Sequence, residues 1–440
     1  MMRYTGYELS HKALEIIRKT RQSGTPDWVT ESAYDLFGER MGIDEFVLRI
    51  INEVRAGGDR SVINLTEKIE GERIESVVVP EDEMKNAYKE TPSKLRDSLE
   101  RMAERIESFH SRSMPITWND DVAGYGQKFI PVESVGVYVP GGTAKYPSTV
   151  LMTAIPARVA GVSDVSLACP VYEDGLPAKS VLAAGYIAGV STVYRIGGVQ
   201  AIASLAYGTE SVRNVDLICG PGNLLVTLAK KAVFGDVGID GLYGPTETVL
   251  LADDSANPVL CAADLIAQAE HDQRAIPILI TSSESLADEV EEQINIRLPK
   301  AERKDIAKGS MDSNGIISIV ETDAEAIALV NEFAPEHLCI LSENAGRILP
   351  SVKNAGMIFI GEYSHEVLGD YGAGPSHVMP TGGTAKFNAG LGVHTFLKPV
   401  PVVSIPRETA LSIIDDVSEI AREEGLTAHA EAAEVRREFE

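Results

Sequence analysis

Two Glu-His dipeptides, Glu270-His271 and Glu336-His337, are the parts of this chain best suited to chemistry. An imidazole beside a carboxylate can ligate a metal or move a proton, and the residue types alone leave both open. The first dipeptide closes an apolar stretch, residues 257–271, that reads as a helix. On it Asp264, Gln268 and His271 fall at i, i+4 and i+7, a polar stripe on one face. The second lies in Phe333-Ala334-Pro335-Glu336-His337-Leu338, between a helical run and an apolar strand-like run, where it reads equally well as a surface turn. Two glycine turns, Pro140-Gly141-Gly142 and Gly220-Pro221-Gly222-Asn223, could add a phosphate cradle. Glycine lets backbone approach an anion closely, and a following helix N-terminus favours its charge. A tight turn without a ligand is the plainer reading of both, since neither GxGxxG nor a Walker lysine pattern is present. Gly197-Gly198-Val199-Gln200 follows another strand-like run, from which Gln200 could reach the same crevice.

Residues so far apart in sequence need a fold to bring them together. The first 115 residues or so read as mainly helical, with packing helices over 45–55 and 92–109. From about 130 the pattern alternates. Strands are expected at 134–139, 164–168, 192–196 and 215–219, and helices at 148–161, 177–188, 201–207 and 224–234, with Pro156 a kink or break in the first. A second alternating block has strands at 248–252, 276–281, 315–320, 338–341 and 357–360. Asn257-Pro258 announces one of its helices, a cap followed by proline at the first helical position. Residues 361–396, rich in Gly, His and Thr, read as a long functional loop, and 407–424 and 427–439 as closing helices, the last capped by Thr427. Alternation of this kind builds parallel sheets with helices on their faces, which bind ligands at the carboxyl ends of their strands. The fold class is therefore α/β: two parallel-sheet, incomplete Rossmann-like domains, with small helical elements at both ends.

At 440 residues the chain is long enough for two or three cores. Its net charge of -25 argues against a nucleic-acid surface and against an anionic membrane surface. Cys169, Cys219, Cys261 and Cys339 are scattered in apolar contexts without a CxxC pair, as expected of buried reduced thiols. No apolar run is long enough for a transmembrane helix and no targeting segment is evident, so a cytoplasmic protein is expected.

The chain resembles the L-histidinol dehydrogenase family over nearly its whole length. The resemblance rests on PVESVGVYVPGGTAKYPSTVLMTAIPARVAGV (131–162), GGVQAIASLAYGTE (197–210), DLICGPGN (216–223), GPTE (244–247), DLIAQAEHD (264–272), PEHL (335–338), GDYGAGPSHVMPTGGTAKF (369–387) and LTAH (426–429). Each piece is weak alone; eight in order are specific.

The resemblance implies four-electron oxidation of L-histidinol to L-histidine through L-histidinal, the last step of histidine biosynthesis, with two NAD+ and one zinc per subunit. It implies Gln268, His271, Asp370 and His429 as zinc ligands, His337 as general base, and Glu336 as the residue activating water for the second oxidation. Thr246, where the family commonly has Ser, His377 and Glu424 fall at substrate-contact positions, alongside the four ligands and the Glu336-His337 pair. Tyr138, Gln200 and Asn223 fall at NAD+ positions. Asp264 matches no ligand position. The implied organisation is a helical element at 1–30, a zinc/catalytic domain from 31–137 and 246–391, an NAD+-binding domain at 138–245, and a linker and helical tail at 392–440. That tail would enter the partner's active site in a homodimer, supplying His429 and Glu424 in trans. Two rival functions remain. A paralogue could oxidise another small polar alcohol such as a sulfonated diol, for which a basic substrate contact would be the sign. A metal-dependent hydrolase would turn over without NAD+.

Overall fold

The apolar runs between residues 134 and 239 become five short parallel strands. Their sheet has the order Thr192–Tyr194, Asp164–Ala168, Ser134–Tyr138, Leu217–Cys219, Gly238–Ile239. The structure is a computed structural model describing residues 1–20, 25–141, 144–172 and 175–439. Gly142 of the first glycine turn lies outside the described residues. The helices of this block are Pro147–Ala160, Lys179–Ala188, Gly198–Tyr207 and Leu224–Val233. Pro156 does not end its helix, which continues to Ala160. That helix is buried almost all round, so packing outweighs one lost backbone hydrogen bond.

The second block also forms a parallel sheet. Its order is Met2–Thr5, Ile316–Ile319, Ile276–Thr281, Glu247–Ala252, His337–Leu341, Met357–Ile360. The central strands are buried at every position, as strands covered on both faces must be. One apolar core fills each face.

Several expectations are corrected. Residues 1–30, read as a helical element, begin with the strand Met2–Thr5, paired with Ile316–Ile319 at the sheet edge. Four residues carry no readable period, and only the distant partner makes them a strand. The helix expected at 45–55 runs on as Ile43–Glu70, with a non-helical Gly58 inside it. It shares a core with Tyr138, Ile202 and Val226, so it packs on the first sheet, whereas the resemblance groups 31–137 with the second. An amphipathic face shows that a helix packs, not on which sheet. The expected loop at 361–396 holds the helix Glu366–Tyr371 and the 3-10 turns Thr384–Lys386 and Val393–Phe396.

The chain divides into two units, Met1–Ser113 with Glu133–Phe396, and Met114–Val132 with Leu397–Glu440. Both sheets above belong to the first. The second unit holds an antiparallel sheet, in which Tyr125–Pro131 pairs with Trp118–Asp120 on one side and Leu397–Val403 on the other. Residues 114–132 thus join the C-terminal residues rather than the 31–137 segment, and 397–403, read as linker, is a strand. Its Pro399 and Pro401 suit an edge position, where a missing N–H costs nothing. The helices Arg407–Glu423 and Thr427–Glu434 complete this unit. Thr427 is the first helical residue and does not cap; Leu426 precedes it without a side-chain cap. Among the described residues no helix is long and apolar enough to cross a membrane.

Candidate active site

The catalytic candidates stand at the amino edge of the second sheet. Thr246 immediately precedes the strand Glu247–Ala252, and His337 opens the neighbouring strand His337–Leu341, paired in register with Thr248. The helix Pro258–Ala269, capped by the Asn257 side chain, returns from the carboxyl edge to this amino edge and delivers Gln268 and His271. The helix Glu366–Tyr371 delivers Asp370. The Pro335-Glu336 backbone is tied to the next strand by Gly356 N–H to the Pro335 carbonyl at 2.9 Å and Met357 N–H to the Glu336 carbonyl at 2.9 Å. A Cβ on Gly356 would meet the Glu336 carbonyl at 2.6 Å, so only glycine allows this approach.

From these elements a polar chain emerges. Gln268 Nε2 donates to Thr246 Oγ1, and Thr246 donates to Glu336 Oε2 at 2.6 Å. The Glu247 amide donates to the same oxygen at 3.1 Å. His337 Nδ1 lies 3.6 Å from Glu336 Oε2, and its Nε2 lies 3.8 Å from Asp370 Oδ1. Asp370 Oδ2 lies 3.8 Å from His271 Nε2. These are ionic contacts rather than hydrogen bonds. His377 Nδ1–H donates to the Asp370 carbonyl at 2.8 Å and its Nε2 lies 3.1 Å from the Thr149 hydroxyl, while burial lowers the imidazole's pKa and favours the neutral ring.

Burial pushes the Glu336 carboxyl up to about 7, against the opposing charge of His337 and the hydrogen bond from Thr246. Burial would lower His337, but the carboxylates of Glu336, Glu366 and Asp370 outweigh it and raise the imidazole to about 10. Burial would raise Asp370, yet the surrounding imidazoles, His337 foremost, hold it below its ordinary value. Glu366, buried with Thr248 donating to it, is pushed up to about 8 by burial. Sequence reading missed Glu366, which sits in a segment taken for a loop.

A cavity of about 930 Å³ opens over these residues. Thr246, His271, Glu336, His337, Asp370 and His377 line one wall. Pro140, Gly141, Pro221, Gly222 and Asn223 line the other, at the carboxyl ends of the first sheet's strands, as expected there. The second sheet contributes its amino ends instead, against the rule that parallel sheets bind at their carboxyl ends. Gly220, at φ +113 with the Tyr138 carbonyl 2.1 Å from where a Cβ would stand, makes the glycine turn possible. Arg274, a basic side chain on the wall, is paired with Asp272.

Of the expected NAD+ positions, Asn223 lines the cavity and caps the helix Leu224–Val233 by accepting from Val226 N–H. Tyr138 and Gln200 are buried beneath the wall. Tyr138 accepts from Gly198 N–H at 3.1 Å, and Gln200 Nε2 donates at 3.3 Å to Glu70, which also accepts from Gly197 N–H and Val171 N–H at 2.9 Å. Glu70, at the end of a charged helix, carried no signal of this role. Asp264, half-buried, is raised to about 6 by burial. The four cysteines are buried free thiols.

Glu424 and His429 are exposed residues of the second unit, after Arg407–Glu423 and in Thr427–Glu434. Among the described residues no three His, Cys, Asp or Glu side chains converge to hold a metal. Of the four ligands the family resemblance implies, three lie in the first unit: the His271 imidazole, the Asp370 carboxylate and the Gln268 amide. Because Gln268 Nε2 is spent on Thr246, its amide oxygen is the atom left to ligate, and this set suits zinc.

A crevice between two parallel sheets, with a buried imidazole–carboxylate centre on one wall and glycine turns on the other, defines a two-sheet α/β enzyme. The model of one family, histidinol dehydrogenase, matches residues 38–437. A histidinol dehydrogenase of Dehalococcoides mccartyi is 44% identical over 96% of this chain and 97% of its own, and one of Geobacillus kaustophilus is 46% identical over 89% and 93%. The crystal structure of histidinol dehydrogenase from Elizabethkingia anophelis superposes with a TM-score of 0.91 at 30% identity, covering 100% of this chain and 98% of that one. The chain belongs to the histidinol dehydrogenase family.

Proposed function

We propose that this enzyme oxidises L-histidinol to L-histidine through L-histidinal, using two NAD+ and one zinc per subunit, as the last step of histidine biosynthesis in the cytoplasm. The observation that carries the reading is the chain Gln268–Thr246–Glu336 beside His337 and Asp370, in a member of a family named for this activity.

Gln268, His271 and Asp370 would hold the zinc, with His429 from the second unit as the fourth ligand. When bound, zinc supplies a charge that orients the substrate nitrogens and offsets the carboxylates around His337, while NAD+ supplies the hydride acceptor. With the bound metal offsetting the carboxylates that otherwise hold the imidazole protonated, neutral His337 would take the hydroxyl proton in the first oxidation as the carbinol carbon gives up hydride. In the second, Glu336 takes a proton from the water that adds to the aldehyde, and the hydrate gives up the second hydride. A carboxyl raised toward 7 is poised both to take and to release that proton. His377 and Thr246 lie on the same wall and are assigned to the substrate with Glu424, whose carboxylate suits a cationic amine.

For NAD+, the turns Gly220–Asn223 and Pro140-Gly141 precede helices whose N-termini favour a diphosphate. Tyr138 and Gln200 support this site from beneath through the Gly197-Gly198 turn. Glu424 and His429 act in the partner's site of a homodimer. In support, the helix Arg407–Glu423 exposes Ile413, Val417 and Ile420, an apolar stripe without cover in its own unit.

The test is NADH formed per L-histidinol consumed by zinc-loaded protein in excess NAD+. Two supports the four-electron reaction. One stops it at the aldehyde and removes the role of Glu336. None, with zinc bound, points to another polar alcohol, and turnover without NAD+ to a hydrolase.

A further inference from the structure

The N-terminal helix Tyr7–Thr20 lies outside residues 38–437, which the family model matches, yet one of its side chains reaches the backbone that carries Glu336. Arg18 Nη1 pairs with Glu247 Oε1 at 2.6 Å, and that carboxylate is completely buried. Arg18 Nη2 donates to the Phe333 carbonyl, and the guanidinium lies 4.0 Å from the Phe333 ring centre. Both partners bear on Glu336. The Glu247 amide donates to Glu336 Oε2, while its carboxylate also accepts from Gly382 N–H at 3.0 Å. Phe333 starts the turn into Glu336, and the next residue, Ala334, sits at φ 51 and ψ 67. Among the described residues it is the one non-glycine with positive φ. Such a conformation persists only where its surroundings enforce it.

We propose that Arg18 is a positioning residue for Glu336, its planar fork holding both the strained turn that presents Glu336 and the strand whose amide fixes the Glu336 carboxylate. The proposal rests on Glu336 being the base of the second oxidation. A lysine replaces the planar two-pronged fork, and its stacking on the Phe333 ring, with one point charge on a flexible stem, so it holds the two partners less rigidly. A second cavity, of about 220 Å³, is lined by Arg18, Phe333, Gly382 and Gly383, so a small cation can reach the place of the guanidinium.

The experiment compares R18A, R18K and E336Q as full-length, zinc-loaded enzymes, with L-histidinol or L-histidinal as the starting substrate. R18A and R18K are expected to slow histidinal oxidation on the order of ten- to a hundredfold, as displaced catalytic groups do. The KM for L-histidinol and the rate of the first hydride transfer should stay within about twofold. Guanidinium ion should restore R18A in part, and R18A should add little to E336Q, because two changes acting through one group are not additive. In metal-free protein the Glu247 amide should exchange hydrogen faster in R18A. Equal loss in both oxidations, or a further full loss on top of E336Q, assigns Arg18 to general stability and overturns the proposal; so does unchanged histidinal oxidation in R18K and R18A. If E336Q itself oxidises histidinal normally, the reading of Glu336 fails first. Should R18A not fold, R18K and its double variant with E336Q carry the decision.

Discussion

Thr246 donates to Glu336 over 2.6 Å while accepting from Gln268, so one hydroxyl orients both a proposed base and a proposed zinc ligand. Thr246→Val keeps the volume and removes the hydroxyl. It leaves the buried Gln268 N–H without its partner, at about 1–3 kcal/mol, while Glu336 Oε2 keeps only the Glu247 amide donor. Zinc affinity should fall about ten- to a hundredfold, as when other groups that orient ligands are lost. Thr246→Ser should change little. Competition titration with a zinc chelator and urea unfolding check both.

The glycine turn on the opposite wall has its own clamp. Lys230 Nζ donates to the Gly220 carbonyl at 3.0 Å and pairs with Asp240, which accepts from Gly220 N–H at 2.7 Å. Both charges are buried. Lys230→Met should cost about 3–5 kcal/mol because Asp240 is left buried and unpaired. Adding Asp240→Asn should recover part of that loss. In each variant the KM for NAD+ should rise if the turn binds the cofactor, and denaturant titration with initial rates would show it.

His110 is fully buried, and neither ring nitrogen has a hydrogen-bond partner. Burial lowers its pKa to about 4. Above pH about 6.5 the ring is neutral in both folded and unfolded chains and contributes no pH dependence. Between about 6.5 and 4 the unfolded chain takes up a proton that the folded chain refuses, so stability falls as pH falls, by on the order of 1 kcal/mol per pH unit. His110→Leu should flatten this part of the profile. Thermal unfolding at pH 7.5 and 5, wild type against variant, is the measurement.

If His429 serves the partner's zinc, inactive His271→Ala and inactive His429→Ala chains should complement each other. Random pairing makes half of the dimers mixed, each with one intact site, so about a quarter of the wild-type activity should return on co-refolding. No recovery would mean that each chain supplies its own His429.

Much of the fold was legible because its central strands are continuous apolar runs punctuated by Gly, Pro and Asn. The strands Asp164–Ala168, Ile276–Thr281 and Met357–Ile360 fall where the pattern put them. Short or distantly paired elements were not legible. Met2–Thr5 and Leu397–Val403 are strands only because Ile316–Ile319 and Tyr125–Pro131 lie beside them. In the candidate site, Glu336, His337, Gln268 and Asp370 do come together with Thr246 and His377. Tyr138 and Gln200 do not reach the cavity, because a residue's place after a strand does not reveal whether its side chain faces the crevice or the core.

The sequence by itself determined the α/β class, the family, and which residue types were available for chemistry, because periodicity, punctuation and motifs are local properties of the chain. Only the tertiary structure decided that one wall of the crevice is the amino edge of a sheet and the other the carboxyl edge. It alone brought Glu70, Glu366 and Arg18 to residues up to 315 positions away. It also set the charge balance around His337. These depend on which strands pair and on how far each carboxylate is buried, and both are fixed by contacts between segments that share no local pattern.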